Sequence, residues 1–162
     1  HGDRGRALEI MKDSRIGAFG AAALMLSVLA RAGALTGLAP SAWFALVSVH
    51  AAARVVPVWL LCREPYVNDR PDAKSHGLFQ TRPVHVLVAF GWSGATAALG
   101  SALGWLPWPA ACAAALTPLL LTPLLARYFR RRIGGVTGDV LGAAEQVAEI
   151  AAWVAVGAAL PV

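Results

Sequence analysis

The sequence predicts an all-α protein, a polytopic integral membrane bundle with about five transmembrane helices. Hydrophobic residues make up 57% of the 162 residues and charged residues only 14%, whereas an ordinary soluble domain is about one quarter charged. The mean hydropathy is +0.59. Five apolar stretches each approach the roughly 20 residues that a helix needs to cross a bilayer. These properties exclude a disordered chain, a disulfide-stapled secreted module and a typical soluble enzyme.

The predicted spans follow one another along the chain, with bounds near 16–38, 42–61, 84–106, 108–126 and 143–160. Basic residues precede the first span, as they do in a signal peptide, but its length and the four spans behind it favour a transmembrane helix. No internal repeat and no low-complexity linker divides the chain. We therefore predict a single membrane domain over residues 1–162.

Most charged residues are concentrated in three segments on one side of the predicted membrane. Segments 1–15, 62–83 and 127–142 hold 12 of the 14 Lys and Arg residues and seven of the nine acidic residues. By the positive-inside rule this charged side is cytoplasmic. A charged, water-soluble substrate would have to be handled on this side. The exceptions lie within the spans and are Arg31, Arg54, Glu145 and Glu149.

A polar stripe is predicted on the segment that enters the first span. At 100° per residue, a helix through this segment places two carboxylates one turn apart above two glycines. Oxygen ligands of this kind suit Mg²⁺, which binds carboxylates together with substrate phosphates. The alternative is an exposed amphipathic helix whose charges are solvated. The stripe consists of Arg6, Glu9, Asp13, Gly17 and Gly20.

A second polar segment, residues 127–149, connects the last two spans. Its sequence GGVTGD forms a flexible turn in which Thr137 or Asp139 can cap the following helix. A glycine-rich turn that opens a helix presents free N–H groups and favours phosphate, although this one is neither a GxGxxG nor a Walker pattern. Four arginines precede the turn, and they are also explained as a stop signal that faces anionic lipid. They are Arg127, Arg130, Arg131 and Arg132.

Two carboxylates of the last span are predicted to lie deep in the membrane. Glu145 and Glu149 are six and ten residues beyond the predicted turn residue Asp139, about 9 and 15 Å along a helix. Buried charges are costly there and are functional by default. We expect Arg54 to be their partner, either as a structural clamp with Glu149 or as a contact for a substrate phosphate. Arg31 is expected to snorkel to the outer surface without a role.

The polar loop 62–83 contains several prolines and is too irregular to predict as a helix. A lid over the substrate and a plain connector explain it equally well. His76 has the chemistry of an acid or base, but its spacing does not require that role.

Two long motifs resemble the cobalamin synthase family. They are EIMKDSRIGAFG at 9–20 and RRIGGVTGDVLGAAEQVAE at 131–149, with a weaker match at AARVVPVWLL, 52–61. The resemblance implies a membrane phosphotransferase of cobalamin (vitamin B12) biosynthesis, an adenosylcobinamide-GDP ribazoletransferase. Such an enzyme joins α-ribazole, or its 5′-phosphate, to adenosylcobinamide-GDP and releases GMP with the help of Mg²⁺. We therefore expect these two substrates and the lipid bilayer as partners, no nucleic acid, and a bacterial inner-membrane location with a cytoplasmic active face.

The resemblance also implies roles for individual residues. As catalytic residues it implies Asp13, Asp139 and Glu145. As substrate-binding residues it implies Ser14, Arg15, Arg54, Thr137, Gly138 and Glu149, of which Arg15 or Arg54 would contact the diphosphate. As metal ligands it implies Asp13 and Glu9. It identifies no general base.

One feature of the family is not found in this sequence. An Asp-rich DxxDG stretch precedes the first motif in family members, whereas this sequence begins just after the expected position. We therefore expect the C-terminal two-thirds of a longer enzyme, with further acidic ligands upstream and little activity in this portion alone. Two alternatives are a CDP-alcohol-phosphotransferase-like enzyme, whose full motif is not found here, and a small transporter or membrane subunit.

Overall fold

The computed structural model describes residues 4–13, 15–36, 42–67 and 81–160, and these residues form seven helices. The helices are α1 (Arg4–Lys12), α2 (Ala18–Thr36), α3 (Ala42–Ala53), α4 (Val55–Arg63), α5 (Pro83–Ala102), α6 (Trp108–Ile133) and α7 (Gly138–Ala158).

Five helical segments are long and apolar enough to cross a membrane. Four of them are single helices, and the fifth, Trp43–Arg63, combines α3 and α4. The all-α, polytopic fold is therefore confirmed, and the five predicted spans coincide with α2, α3–α4, α5, α6 and α7. The protein is a multi-pass membrane protein.

The second span is interrupted at Arg54, between α3 and α4. Pro57 lies in the first turn of α4 and has no N–H group for the carbonyl of Ala53, four residues earlier. The missing hydrogen bond explains why the helix is interrupted at Arg54.

The predicted stripe through residues 6–20 is wrong as a single helical face. The helix α1 ends at Lys12, and α2 begins only at Ala18. The backbone N–H of Arg15 donates to Asp13 Oδ1 at 3.0 Å, a local bond that competes with helix continuation. Gly17 lowers the helix propensity further. Glu9 therefore lies on α1, whereas Asp13 lies in the connection.

Small residues form much of the interior where α3, α6 and α7 pack together. Ala45, Ala110, Ala114 and Ala152 are fully buried, together with Trp153. Alanines at such contacts allow helix backbones to approach closely, as is common in membrane bundles. In contrast, α2 has no buried residue and packs against α7 from the side.

Candidate functional site

The two motif segments meet at one end of the bundle. Three residues of α1 (Ala7, Leu8 and Met11) pack against a buried cluster that contains Ile133, the last residue of α6, and Val136 from the turn that follows. The helices α1 and α6 are in contact. Two sequence motifs more than 100 residues apart are thus neighbours in the fold.

Two glycines shape the turn between α6 and α7. Gly134 ends α6 with φ of 82°, a left-handed conformation that favours glycine. A Cβ atom on Gly135 would lie 2.0 Å from the carbonyl oxygen of Pro65, so only glycine fits there. This close approach allows the Val136 N–H to donate to Pro65 O at 2.9 Å and the Val67 N–H to donate to Val136 O at 2.7 Å. The turn is thereby attached to the end of the second span.

The helix α7 is capped by Thr137, one of the two caps that the sequence predicted. The Val140 N–H donates to Thr137 Oγ1 at 3.3 Å, and Gly138 begins the helix. Asp139 therefore is not the cap but an exposed residue of the first turn. A carboxylate in this position interacts favourably with the positive end of the helix dipole.

Asp13 and Arg15 form a close ion pair just before α2. Arg15 Nε donates to Asp13 Oδ1 at 3.0 Å and Arg15 Nη2 donates to Oδ2 at 2.8 Å. These hydrogen bonds, with the one from the Arg15 backbone, lower the pKa of the Asp13 carboxyl below its ordinary value. Both residues are exposed. Ser14, which lies between them, is outside the described residues.

The residues that the structure describes do not by themselves form a metal site. No three His, Cys, Asp or Glu side chains among them are grouped so that they could hold a metal ion. Both oxygens of Asp13 are engaged by Arg15, and a cation would have to displace that guanidinium. The exposed carboxylates of Glu9 and Asp139 have the oxygen chemistry that suits Mg²⁺, but they do not complete a site.

Among the described acidic residues, Glu149 is the most buried, with 2% of its surface exposed. Its Oε1 accepts a hydrogen bond from Arg31 Nε at 2.6 Å, and its Oε2 lies 3.5 Å from His50 Nδ1. The guanidinium of Arg31 also donates to Ser27 Oγ at 2.9 Å and to the side chain of Gln146. The carboxylate is therefore enclosed by partners from α2 and α3.

This arrangement corrects two expectations. Arg31 does not snorkel to the outer surface, because a buried carboxylate across the α2–α7 contact attracts its guanidinium inward. The Arg54–Glu149 clamp does not form, because Arg31 and His50 face the carboxylate of Glu149 while Arg54 pairs with Glu145. The Arg31–Glu149 contact joins two helices and could not be found from spacing along one of them, whereas the Arg54–Glu145 pair was expected. A cation within an apolar span was the one feature of the sequence that could have indicated a buried partner for Arg31.

Arg54 and Glu145 form a second ion pair. Glu145 lies about one helical turn from Glu149 along α7, on the side of the bundle end where the two motifs meet, which we call the motif end. The Arg54 side chain is 70% exposed, whereas that of Glu145 is 17% exposed. Arg54 and His50 also line a cavity of about 440 Å³ beside Trp92 of α5. Arg54 is nine residues from Arg63 at the end of the span, about 14 Å along a helix. An exposed cation at this depth requires water or a polar ligand around it.

A further ion pair, between Arg130 and Glu64, was not predicted from the sequence. Arg130 donates to both carboxylate oxygens, from Nε at 2.7 Å and from Nη2 at 2.8 Å. Glu64 is buried although it follows the last residue of α4. No local pattern marks this contact, since it joins the end of one span to another 66 positions later. Most of the polar loop, including His76, is outside the described residues, so the lid prediction is untested.

Comparison with known proteins gives matches over nearly the whole chain. The family described as "Cobalamin-5-phosphate synthase" matches residues 1–157. A protein of Leptothrix cholodnii named adenosylcobinamide-GDP ribazoletransferase is 41% identical over 93% of this chain and 58% of its own length. Proteins of the same name from Polaromonas naphthalenivorans and Shewanella baltica are each 40% identical, over 98% and 90% of this chain.

The chain spans only part of these relatives, 62% of the Polaromonas protein and 55% of the Shewanella protein. No solved structure matches the chain significantly.

Proposed function

The chain belongs to the cobalamin-5-phosphate synthase family, and on this basis we propose that it forms part of an adenosylcobinamide-GDP ribazoletransferase. The reaction transfers the cobinamide-phosphate part of adenosylcobinamide-GDP to α-ribazole or α-ribazole 5′-phosphate. A hydroxyl oxygen of the ribazole forms a new bond to the phosphorus that carries the cobinamide. The bond from that phosphorus to the GMP part breaks, and GMP leaves. The product is adenosylcobalamin or its 5′-phosphate.

One observation supports this proposal most strongly, namely the contact between the two family motifs. Residues of α1 pack against a buried cluster that includes the turn residue Val136, and α1 contacts α6. Asp13 directly follows α1, and Asp139 lies in the first turn of α7. Phosphoryl transfer depends mainly on positioning and on neutralising charge. A motif end that carries carboxylates, arginines and a helix N-terminus suits that chemistry.

The proposed roles come from the family resemblance, and the contacts in the structure refine them. Asp13, Asp139 and Glu145 are the proposed catalytic residues, and Glu145 acts with its partner Arg54 at the cavity beside α5. The proposed substrate contacts are Arg15, Arg54, Thr137 and Gly138, together with Ser14. Glu149 was expected to contact substrate, but its enclosure by Arg31 and His50 favours a positioning role.

The requirement for Mg²⁺ remains a proposal based on the family resemblance. Mg²⁺ commonly binds one or two carboxylates together with substrate phosphates. Glu9 and Asp13 are the proposed protein ligands, and the substrate diphosphate would supply further oxygens. We likewise propose that the motif end faces the cytoplasm of a bacterial inner membrane, because the basic segments lie at this end.

A turnover assay tests the proposed function. Membranes that contain the protein, expressed from its complete reading frame, are given adenosylcobinamide-GDP, α-ribazole 5′-phosphate and Mg²⁺, and GMP release is measured. Asp13→Asn should abolish GMP release while membrane insertion is retained. Arg132→Gln is the matched control, because Arg132 lies over the Tyr128 ring and has no proposed role. If wild-type membranes release no GMP, the proposed function is wrong.

A further inference from the structure

We propose that a cavity between α4 and α6 binds a phosphate ester, with the phosphate against Arg127 and Arg131 and the organic part against Trp59. The cavity has a volume of about 310 Å³, within the range of ligand pockets. It is separate from the cavity that contains Arg54. Its lining consists of Trp59, Glu64, Pro123, Ala126, Arg127, Arg130 and Arg131.

The lining has a positive charge that its own carboxylate does not neutralise. Three guanidinium groups and one carboxylate leave two positive charges. Glu64 uses both oxygens on Arg130. Arg127 and Arg131 are exposed and have no ion pair or hydrogen bond with any other residue that the structure describes. These two arginines are therefore available to an anion.

The arginines of the cavity are also arranged so that they can bind one phosphate group together. Arg127 and Arg131 are four residues apart on α6, so their side chains leave the same face of the helix. Arg130 is fixed between them in sequence by the buried carboxylate of Glu64. The planar guanidinium fork matches the oxygens of a phosphate group and can bind them in bidentate fashion. A stop signal that only faces lipid would not require one of its arginines to be fixed by a buried acid.

The opposite side of the cavity is apolar. Trp59 lies more than one turn inside the helix end at Arg63, and Pro123 lies two turns inside from Arg131. The cavity therefore extends over about 12 Å, from a cationic rim to an aromatic and aliphatic floor. A ligand that fits both sides has a phosphate at one end and an apolar or planar group at the other.

Two sources can supply this chemistry: a nucleotide from the cytoplasm or the headgroup of an anionic phospholipid. The nucleotide source rests on the proposed function, whose substrates carry phosphate next to planar bases. The proposal itself is the phosphate-ester site, and a binding measurement distinguishes the two sources without turnover.

The test uses the protein from its complete reading frame in nanodiscs of phosphatidylcholine. The binding of α-ribazole 5′-phosphate and of GDP is measured by calorimetry for the wild type, for Arg127→Gln/Arg131→Gln and for Arg132→Gln. Losing two charge-assisted contacts should weaken binding at least about tenfold in the double variant. Arg132→Gln should bind like the wild type. Arg127→Lys/Arg131→Lys keeps the charge and should give an intermediate affinity, and this variant is decisive if the glutamine variant does not fold.

A parallel arm adds phosphatidylglycerol to the nanodiscs and measures lipid retained per protein by native mass spectrometry. If neither nucleotide binds through the arginines but retained phosphatidylglycerol falls in the double variant and not in Arg132→Gln, the site is a phospholipid headgroup site. If neither ligand depends on Arg127 and Arg131, or if Arg132→Gln has the same effect, the proposal is wrong. GMP release by wild-type membranes tests the proposed function separately, so failure of this site would leave the proposed function standing.

Discussion

Arg31 on α2 and Glu149 on α7 form an ion pair of 2.6 Å between two membrane spans, and the Glu149 side chain is only 3% exposed. This contact is the main polar attachment of α2, a helix that has no buried residue of its own. His50 approaches the second carboxylate oxygen from α3. Three spans are thus joined around one carboxylate near the middle of α7.

We expect Arg31→Met to destabilise the protein by on the order of 3 kcal/mol, because it leaves a carboxylate buried without its cation. Unfolding in mixed micelles, followed by circular dichroism, measures this free energy. The double variant Arg31→Met/Glu149→Met should regain most of the stability, since it removes both charges. If the double variant is as unstable as the single one, the ion pair is not the cause of the loss.

Gly135→Ala should disrupt the turn between α6 and α7. Its Cβ would lie 2.0 Å from the backbone carbonyl oxygen of Pro65, a contact that requires the backbone to shift and that we expect to cost on the order of 3 kcal/mol. Gly142→Ala is the matched control. A Cβ there has no neighbour within 4 Å, and alanine in a helix interior should stabilise by about 1 kcal/mol. Equal stability of the two variants in the same unfolding assay would contradict the close approach.

The pKa of the Asp13 carboxyl should lie below its ordinary value of 3.8 and should rise in Arg15→Gln, because Arg15 hydrogen bonds favour the charged form. Because the pKa is lowered in the folded state, the ion pair contributes fully to folding stability at pH values above the ordinary pKa. This contribution is lost as the pH falls through the lowered pKa. Carboxyl ¹³C NMR titration of Asp13 measures both values. An unchanged pKa in Arg15→Gln would show that the pair does not form.

Arg54→Gln should separate activity from stability. Because the Arg54 side chain is 70% exposed and that of Glu145 keeps 17% exposure, losing their ion pair should cost about 1 kcal/mol, well below the cost of Arg31→Met. Losing a charge-assisted substrate contact should instead lower kcat/KM for GMP release by at least about tenfold. Arg54→Lys should retain part of the activity. A large loss of stability with unchanged kcat/KM would assign Arg54 a structural role.

The sequence predicted the spans well but only part of the candidate site. Span positions depend on hydropathy and length, which are local properties, and these predictions are confirmed. The cap Thr137 is also local, and it was one of two predicted alternatives. The partners of Glu149 and Arg130 depend on which helices pack together, so Arg31 and Glu64 could not be found from periodicity. Asp13 does not lie on the predicted helical stripe, because its side chain accepts a hydrogen bond from the backbone of Arg15 and α1 ends before it.

We expect both family motifs to lie on one face of the membrane, and cysteine labelling can show whether they do. Cys62 and Cys112, the free cysteines among the described residues, are replaced by serine, and Asp13→Cys or Asp139→Cys is introduced singly. A membrane-impermeant maleimide is applied to right-side-out and inside-out vesicles. Both new cysteines should be labelled only in inside-out vesicles. Labelling of the two positions from opposite sides would contradict this expectation.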